Sequence, residues 1–292
     1  MYPPAFDFSA PTSIDEALAT LAQVGDEGRV LAGGQSLIPM MKLRLAAPAH
    51  LVDINGLSEL AYIRESNGHI SIGALARHAD AAASDVIAAH NHVMASAAPW
   101  IADPLVRNRG TVAGSVAHCD PEGDWNSVML AVGASVVARS SSGEREIPIG
   151  DFVVDFFTNS LEPGEMVTEL RVPKNPPRSG GVYRKLERKI GDYATVGVAT
   201  HLALDESGNI SQAGLALTSV DHTNLKVTEA EQMMLGQTPS EDLFAEAADI
   251  AARTCDPQSD VRGPAEFKRS VVANYTRRGF AEALVSAQGG AN

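Results

Sequence analysis

Arg29-Val30-Leu31-Ala32-Gly33-Gly34-Gln35-Ser36-Leu37-Ile38-Pro39-Met40-Met41-Lys42-Leu43-Arg44, followed by His50-Leu51-Val52-Asp53-Ile54, is the stretch that decides the fold. Residues 29–32 have strand character and run straight into two glycines, after which residues 37–45 can form a short helix and residues 50–54 a second strand. Strand, glycine turn, helix and strand in that order make a small parallel unit, because parallel strands need a crossover between them. The turn lies at the carboxyl end of the first strand, the edge where ligands bind in such units.

Upstream, Ser13-Ile14-Asp15-Glu16 reads as a capping box, and Ile14, Leu18 and Leu21 recur at helical spacing up to Gly25. Downstream the texture changes. Residues 69–75 alternate like a strand, 79–98 predict one alanine-rich helix ended by Pro99, and a second glycine turn falls at 110–115. Residues 135–138 and 146–149 flank Ser140-Ser141-Ser142-Gly143 as a hairpin, with a further strand over 166–172, so the middle region is α+β. Pro173-Lys174-Asn175-Pro176-Pro177-Arg178-Ser179-Gly180-Gly181 reads as a linker. Beyond it, strands over 195–204 and 210–217 and helices over 229–235, 240–252 and 264–287 predict a small sheet covered by helices. The expected division is 1–56, 57–177 and 178–292.

Composition narrows the function. With 45% hydrophobic and 20% charged residues, the 292-residue chain is globular, and its net charge of -13 repels a nucleic-acid backbone. Two cysteines, Cys119 and Cys255, cannot supply the four thiolates of an iron–sulfur cluster. The start, Met1-Tyr2-Pro3-Pro4, lacks a basic stretch followed by an apolar run, and the longest apolar stretch, 128–138, is too short for the roughly 20 residues of a membrane span. The expectation is a cytoplasmic protein with no direct membrane span. There is no Gly-x-Gly-x-x-Gly, Gly-x-x-x-x-Gly-Lys, His-Glu-x-x-His or Gly-x-Ser-x-Gly motif, and His90-Asn91-His92 reads as an exposed helix end rather than a metal site.

Two glycine segments remain. In Ala32-Gly33-Gly34-Gln35-Ser36 the glycines tolerate positive φ and leave successive amides open, a nest suited to a phosphate. Thr111-Val112-Ala113-Gly114-Ser115 offers the same chemistry with two hydroxyls, and Arg107 and Arg109 add positive field. Each segment alone also fits a plain tight turn. The pair, with its polar neighbours, points to a diphosphate.

These segments carry a resemblance. Residues 32–44, Arg107-Asn108-Arg109-Gly110-Thr111-Val112-Ala113-Gly114-Ser115, His118-Cys119-Asp120-Pro121 and Arg184-Lys185-Leu186-Glu187-Arg188-Lys189-Ile190-Gly191-Asp192-Tyr193-Ala194 resemble the medium, FAD-binding subunits of molybdenum hydroxylases. The medium subunit of aerobic carbon monoxide dehydrogenase is nearer than the flavin domain of xanthine dehydrogenase, and the resemblance covers nearly the whole chain. It implies a two-part FAD-binding fold of the p-cresol methylhydroxylase/vanillyl-alcohol-oxidase type, followed by a small C-terminal sheet-plus-helices domain.

By the same resemblance, Ala32, Gly33, Gly34, Gln35, Ser36 and the adjoining Leu37, with Thr111, Ala113, Gly114 and Ser115, hold the pyrophosphate of noncovalent FAD. His118 and Asp124 lie along its ribityl and ribose hydroxyls, and Lys185 and Tyr193 sit near the isoalloxazine. A tyrosine face can stack a flavin and a cation can stabilise its reduced anion, although Tyr193 also fits a core tyrosine at a strand start. The family's second loop usually reads Thr-Ile-Gly-Gly followed by Asn or Asp, so Ala113 and Ser115 are departures. If the ligand needs positive φ at Ala113, FAD is held more loosely; in ordinary geometry nothing changes. Cys119 reads as buried packing.

The implied role is electron transfer. The molybdenum cofactor belongs on a large subunit and 2Fe–2S clusters on a small one, with FAD on this chain passing electrons to an external acceptor; no catalytic residue and no metal ligand is expected here. The alternatives are a free-standing flavin oxidase or dehydrogenase, and a non-catalytic assembly subunit for which Ala113 and Ser115 are traces of decay.

Overall fold

The computed structural model describes residues 2–289; Met1 and positions 290–292, the outer ends of the 1–56 and 178–292 segments, lie outside the described residues. The first layer is built by β1 (Asp7–Ser9), α1 (Ile14–Val24), β2 (Gly28–Leu31), α2 (Leu37–Leu43) and β3 (His50–Asp53), with strand order β1-β3-β2 and every pair parallel. The expected parallel unit is therefore present, with β1 as an added strand whose three residues are too few to show a period. Ser13 caps α1 by accepting the Glu16 amide at 3.2 Å, while the Glu16 carboxylate turns to the Thr12 amide at 2.7 Å instead of closing the box on Ser13. Ala17, Leu18 and Leu21 form its buried stripe. The second helix stops two residues before the expected end because Arg44 enters the left-handed region, φ 61°.

The second layer runs from β4 (Ile63–Ser66) and β5 (His69–Gly73) through six short helices: α3 (His78–Ala82), α4 (Asp85–His90), α5 (His92–Ala97), α6 (Pro104–Arg107), α7 (Val112–His118) and α8 (Asp124–Val132). It continues through β6 (Ser135–Ser140), β7 (Gly143–Pro148), α9 (Ile149–Phe152), the ribbon β8 (Val153–Asp155) and β9 (Thr158–Asn159), and β10 (Met166–Pro173). Its antiparallel sheet has the order β4-β5-β10-β6-β7. The single helix expected over 79–98 is broken into three. Ser84 accepts the Ile87 amide at 3.2 Å and Asn91 accepts the Met94 amide at 3.0 Å, so each starts a new helix. Asn91 is consequently a buried cap, not an exposed end.

The C-terminal part contains β11 (Ser179–Leu186), β12 (Val196–Leu204), β13 (Ile210–Thr218), β14 (Leu225–Lys226), α10 (Thr228–Met234), α11 (Glu241–Thr254) and α12 (Ala265–Ala287), with an antiparallel sheet in sequential order. The supposed linker shrinks to 174–178, since β10 reaches Pro173 and β11 begins at Ser179. Every residue of β12 is buried because both faces are covered, one by α12 and the other by α5 and α8. Gly214 of the neighbouring β13 lets α8 come this close to the sheet: a Cβ there would lie 1.9 Å from the Ala131 carbonyl oxygen of α8. The helices of the middle layer thus dock on the C-terminal sheet.

Candidate cofactor site

The two glycine segments meet. A Cβ on Gly33 would stand 2.4 Å from the Arg109 carbonyl oxygen and 2.6 Å from Gly110 Cα, so only glycine allows the two backbones this approach. Gly34 takes φ +73°, which turns the chain into α2. Among the described residues, no protein acceptor takes the backbone amides of Gly34, Gln35, Ser36 or Leu37, leaving four donors at the strand's carboxyl end. The Gln35 side chain is exposed and reaches back to the Gly33 carbonyl at 3.4 Å.

The second segment is corrected from a glycine turn to the first turn of α7. Thr111 is its N-cap, accepting the Gly114 amide on Oγ1 at 3.0 Å, and Ser115 donates to the Thr111 carbonyl at 3.1 Å. Neither Ala113 nor Gly114 has positive φ, and Ala113 is buried in regular helix. The departure at Ala113 therefore leaves the backbone unstrained. Gly114 is exposed, and a Cβ there would crowd Thr111 Oγ1 at 2.6 Å.

Residues outside the sequence reading fix the junction. Asp53 accepts from the Asn55 side chain at 2.6 Å, Asn55 Nδ2 also donates to the Ala32 carbonyl at 2.7 Å, and Arg77 donates to Asn55 Oδ1 at 2.7 Å and to the Arg109 carbonyl. The His78 amide donates to the Gly110 carbonyl at 3.0 Å, and the buried His78 ring accepts from Trp125 Nε1 on Nδ1 at 3.0 Å. Burial, with Arg107 and Arg77 nearby, pushes the His78 pKa down to about 4, so the ring is neutral and its Nε2 carries the proton. Sequence alone offered one clue, the Asp53-Ile54-Asn55 turn after β3.

The remaining expected residues fall into a second group. Asp124, at the start of α8, is buried; its oxygens accept from Lys185 Nζ at 3.0 Å and Tyr183 OH at 2.5 Å. Lys185 Nζ also donates to the Trp100 carbonyl at 3.1 Å and lies 3.5 Å from Glu187. Burial raises the Asp124 pKa while Lys185 opposes it. Tyr183 passes the network on to Thr218 and Ser127, tying α8 to the C-terminal sheet. Tyr193 is half-exposed in the loop after β11, not in a core; desolvation of its hydroxyl, with Asp120 paired to it, lifts its pKa to about 12. The half-buried His118 ring packs on Phe157, centroids 4.7 Å apart. Cys119 is buried and its thiol is pushed up to about 12 by desolvation, which makes it inert.

A separate cavity on the outer face of the five-stranded sheet, lined by Tyr62, Arg64, Glu169 and Arg171, has its Arg171 engaged by Glu146 and Glu169 and lies away from the glycine segments. Among the described residues no group of three or more His, Cys, Asp or Glu side chains converges as a metal site.

The chain is similar to known proteins over nearly its whole length. The FAD binding domain in molybdopterin dehydrogenase matches residues 4–175, and the CO dehydrogenase flavoprotein C-terminal domain matches residues 181–283. The carbon monoxide dehydrogenase medium chain of Hydrogenophaga pseudoflava is 40% identical over 95% of this chain and 96% of its own length. The alpha subunit of the 6-hydroxypseudooxynicotine dehydrogenase complex of Paenarthrobacter nicotinovorans is 40% identical over 97% and 96%. Among solved structures, the Hydrogenophaga pseudoflava carbon monoxide dehydrogenase superposes with a TM-score of 0.93 at 40% identity, covering 97% of this chain and 98% of that one. Quinoline 2-oxidoreductase from Pseudomonas putida 86 gives 0.89 at 32% identity over 99% of both. A chain with this fold, this pair of facing glycine segments and full-length kinship of this order belongs to the family of FAD-binding medium subunits of molybdenum hydroxylases, and is an oxidoreductase subunit.

Proposed function

We propose that this chain binds FAD with its diphosphate between residues 32–37 and 111–115, and passes electrons from iron–sulfur clusters on a small partner subunit to an external acceptor. The observation that carries the reading is the contact of Gly33 with the Arg109–Gly110 backbone, which brings the segment with four free amides close to the start of α7 and to the Arg77 guanidinium. Free amides and nearby cations are what a dianionic diphosphate needs. When bound, FAD supplies the capacity to take up and release electrons. The protein's part is to bind and orient it. The Asp124–Lys185–Tyr183 group forms the wall where the middle layer meets the C-terminal sheet, Tyr193 stands at its rim as a ring face, and His118 extends the site along α7.

The partners proposed are a large subunit with the molybdenum cofactor and the small iron–sulfur subunit. In support, the chain matches the medium chains of multi-subunit enzymes over nearly their whole length, and two buried cysteines leave it no cluster ligands. The assembly-subunit alternative loses its motive, because Ala113 sits in unstrained helix. We take the three segments 1–56, 57–177 and 178–292 as the working domains. No helix among the described residues is long and apolar enough to cross a membrane, and a cytoplasmic location fits the electron-transfer role.

The test is purification from the native host at moderate salt. Two further chains should accompany this one, acid precipitation should release FAD by mass, and the assembled complex should reduce its flavin with the organic substrate. The isolated chain should be reducible by dithionite alone. Substrate turnover by the isolated chain, free of iron and molybdenum, would replace the subunit reading with a free-standing flavoenzyme.

A further inference from the structure

We infer that Arg77, acting through Asn55, is a positioning residue that clamps the two glycine segments at the spacing a diphosphate requires; this rests on the FAD reading above. One guanidinium nitrogen donates to the Arg109 carbonyl, two residues before the second segment, and another donates to Asn55 Oδ1 at 2.7 Å. Asn55 in turn donates to the carbonyl of Ala32, the first residue of the first segment, at 2.7 Å, and Asp53 fixes the Asn55 amide from behind. One side-chain chain therefore holds both carbonyls. On the first side the amides of Gly34, Gln35, Ser36 and Leu37 are left open to an anion, whereas on the second the amides of Gly110, Val112, Gly114 and Ser115 are bonded to Val106, Ala76 and Thr111.

The clamp carries more charge than its bonds need. Arg77 is half-buried and Arg109 lies close enough to oppose its protonation, while Asp80 and Asp53 only partly compensate. A bound dianion beside the four free amides would relieve the repulsion between the two arginines. Asp53 ends β3, Asn55 follows it, and Arg77 and Arg109 lie in the loops before α3 and after α6, so no local turn rule requires the arrangement.

The experiment uses the full chain stripped of flavin and three probes: ADP, FAD and riboflavin. Arg77→Met should weaken ADP and FAD about tenfold or more, as expected for losing hydrogen bonds from a charged donor, while riboflavin, which has no phosphate, binds as to the unmodified chain. Asn55→Leu should give the same selective loss, and the double variant should lose no more than the larger single one, since both cut one path. Arg77→Lys keeps the cation but reaches a single acceptor, and should fall between. Should Arg77→Met fail to fold, Arg77→Lys and Asn55→Leu decide by the same selectivity. Equal loss of riboflavin and ADP, or unchanged ADP affinity in both Arg77→Lys and Asn55→Leu, overturns the clamp. If the unmodified stripped chain binds neither ADP nor FAD, the FAD reading itself falls.

Discussion

Replacing Gly33 with alanine tests the meeting of the two segments directly. The added Cβ would lie 2.4 Å from the Arg109 carbonyl oxygen, where ordinary contact begins at 3.4 Å, so one backbone must yield by about 1 Å. The obstacle cannot rotate away: the Arg109 amide is bonded to Val106 at 3.1 Å, the Gly110 carbonyl accepts from His78 at 3.0 Å, and Arg77 holds the Arg109 carbonyl. Overpacking of this kind costs about 1–3 kcal/mol. If the segments separate to escape it, the misfit passes to the ligand, and the same energy weakens FAD roughly 5- to 150-fold. The assay is titration of the flavin-stripped chain with FAD followed by fluorescence, with urea unfolding of the stripped chain in parallel. Gly150→Ala is the control, because a Cβ there meets nothing within 4 Å and its φ is ordinary. Unchanged FAD affinity together with unchanged stability in Gly33→Ala would refute the close approach and the site built on it.

Ala113→Gly should leave FAD retention unchanged and lower stability by about 1 kcal/mol, the cost of glycine inside a helix, as read from urea midpoints. Asp124→Asn keeps an oxygen acceptor for Lys185 but leaves Glu187 as the carboxylate beside it; a loss of about 1–3 kcal/mol in unfolding free energy is expected. His78 is neutral in the fold down to about pH 4, whereas the unfolded chain takes up a proton near 6.5, so its contribution is fully present above 6.5 and is lost as pH falls through that window. The loss reaches roughly 2 kcal/mol by pH 5. His78→Asn, which keeps an acceptor for Trp125, should remove that part of the pH dependence of urea unfolding, while His201, also held near 4, keeps its own. Stripping FAD should lower Tm, and readdition at a hundred times its Kd should restore about 2.7 kcal/mol.

The sequence by itself determined what depends on neighbours along the chain. The β2–α2–β3 unit, the capped α1, the serine–glycine hairpin, the strands β12 and β13 and the three C-terminal helices all follow from spacing, caps and turn residues within a few positions. The glycine segments were legible as unusual for the same reason, and the resemblance gave them a ligand. The breaks at Ser84 and Asn91 were also written locally, but a continuous alanine-rich run has too little polar contrast to make a cap conspicuous.

Only the tertiary structure decided why particular residues are required. Gly180 and Gly181 read as a linker, yet they lie in β11, where a Cβ would strike the Ala283 carbonyl oxygen at 2.0 Å and Val93 Cγ2 at 2.4 Å. Their glycine character serves helix packing, not a bend. Gly33 and Arg109, Asn55 and Arg77, and Asp124 and Lys185 are pairs separated by tens of residues, joined by the docking of one layer on another. Hydrogen bonds and close contacts across such distances leave no periodic trace in a single sequence, because they are set by which surfaces the buried apolar faces bring together.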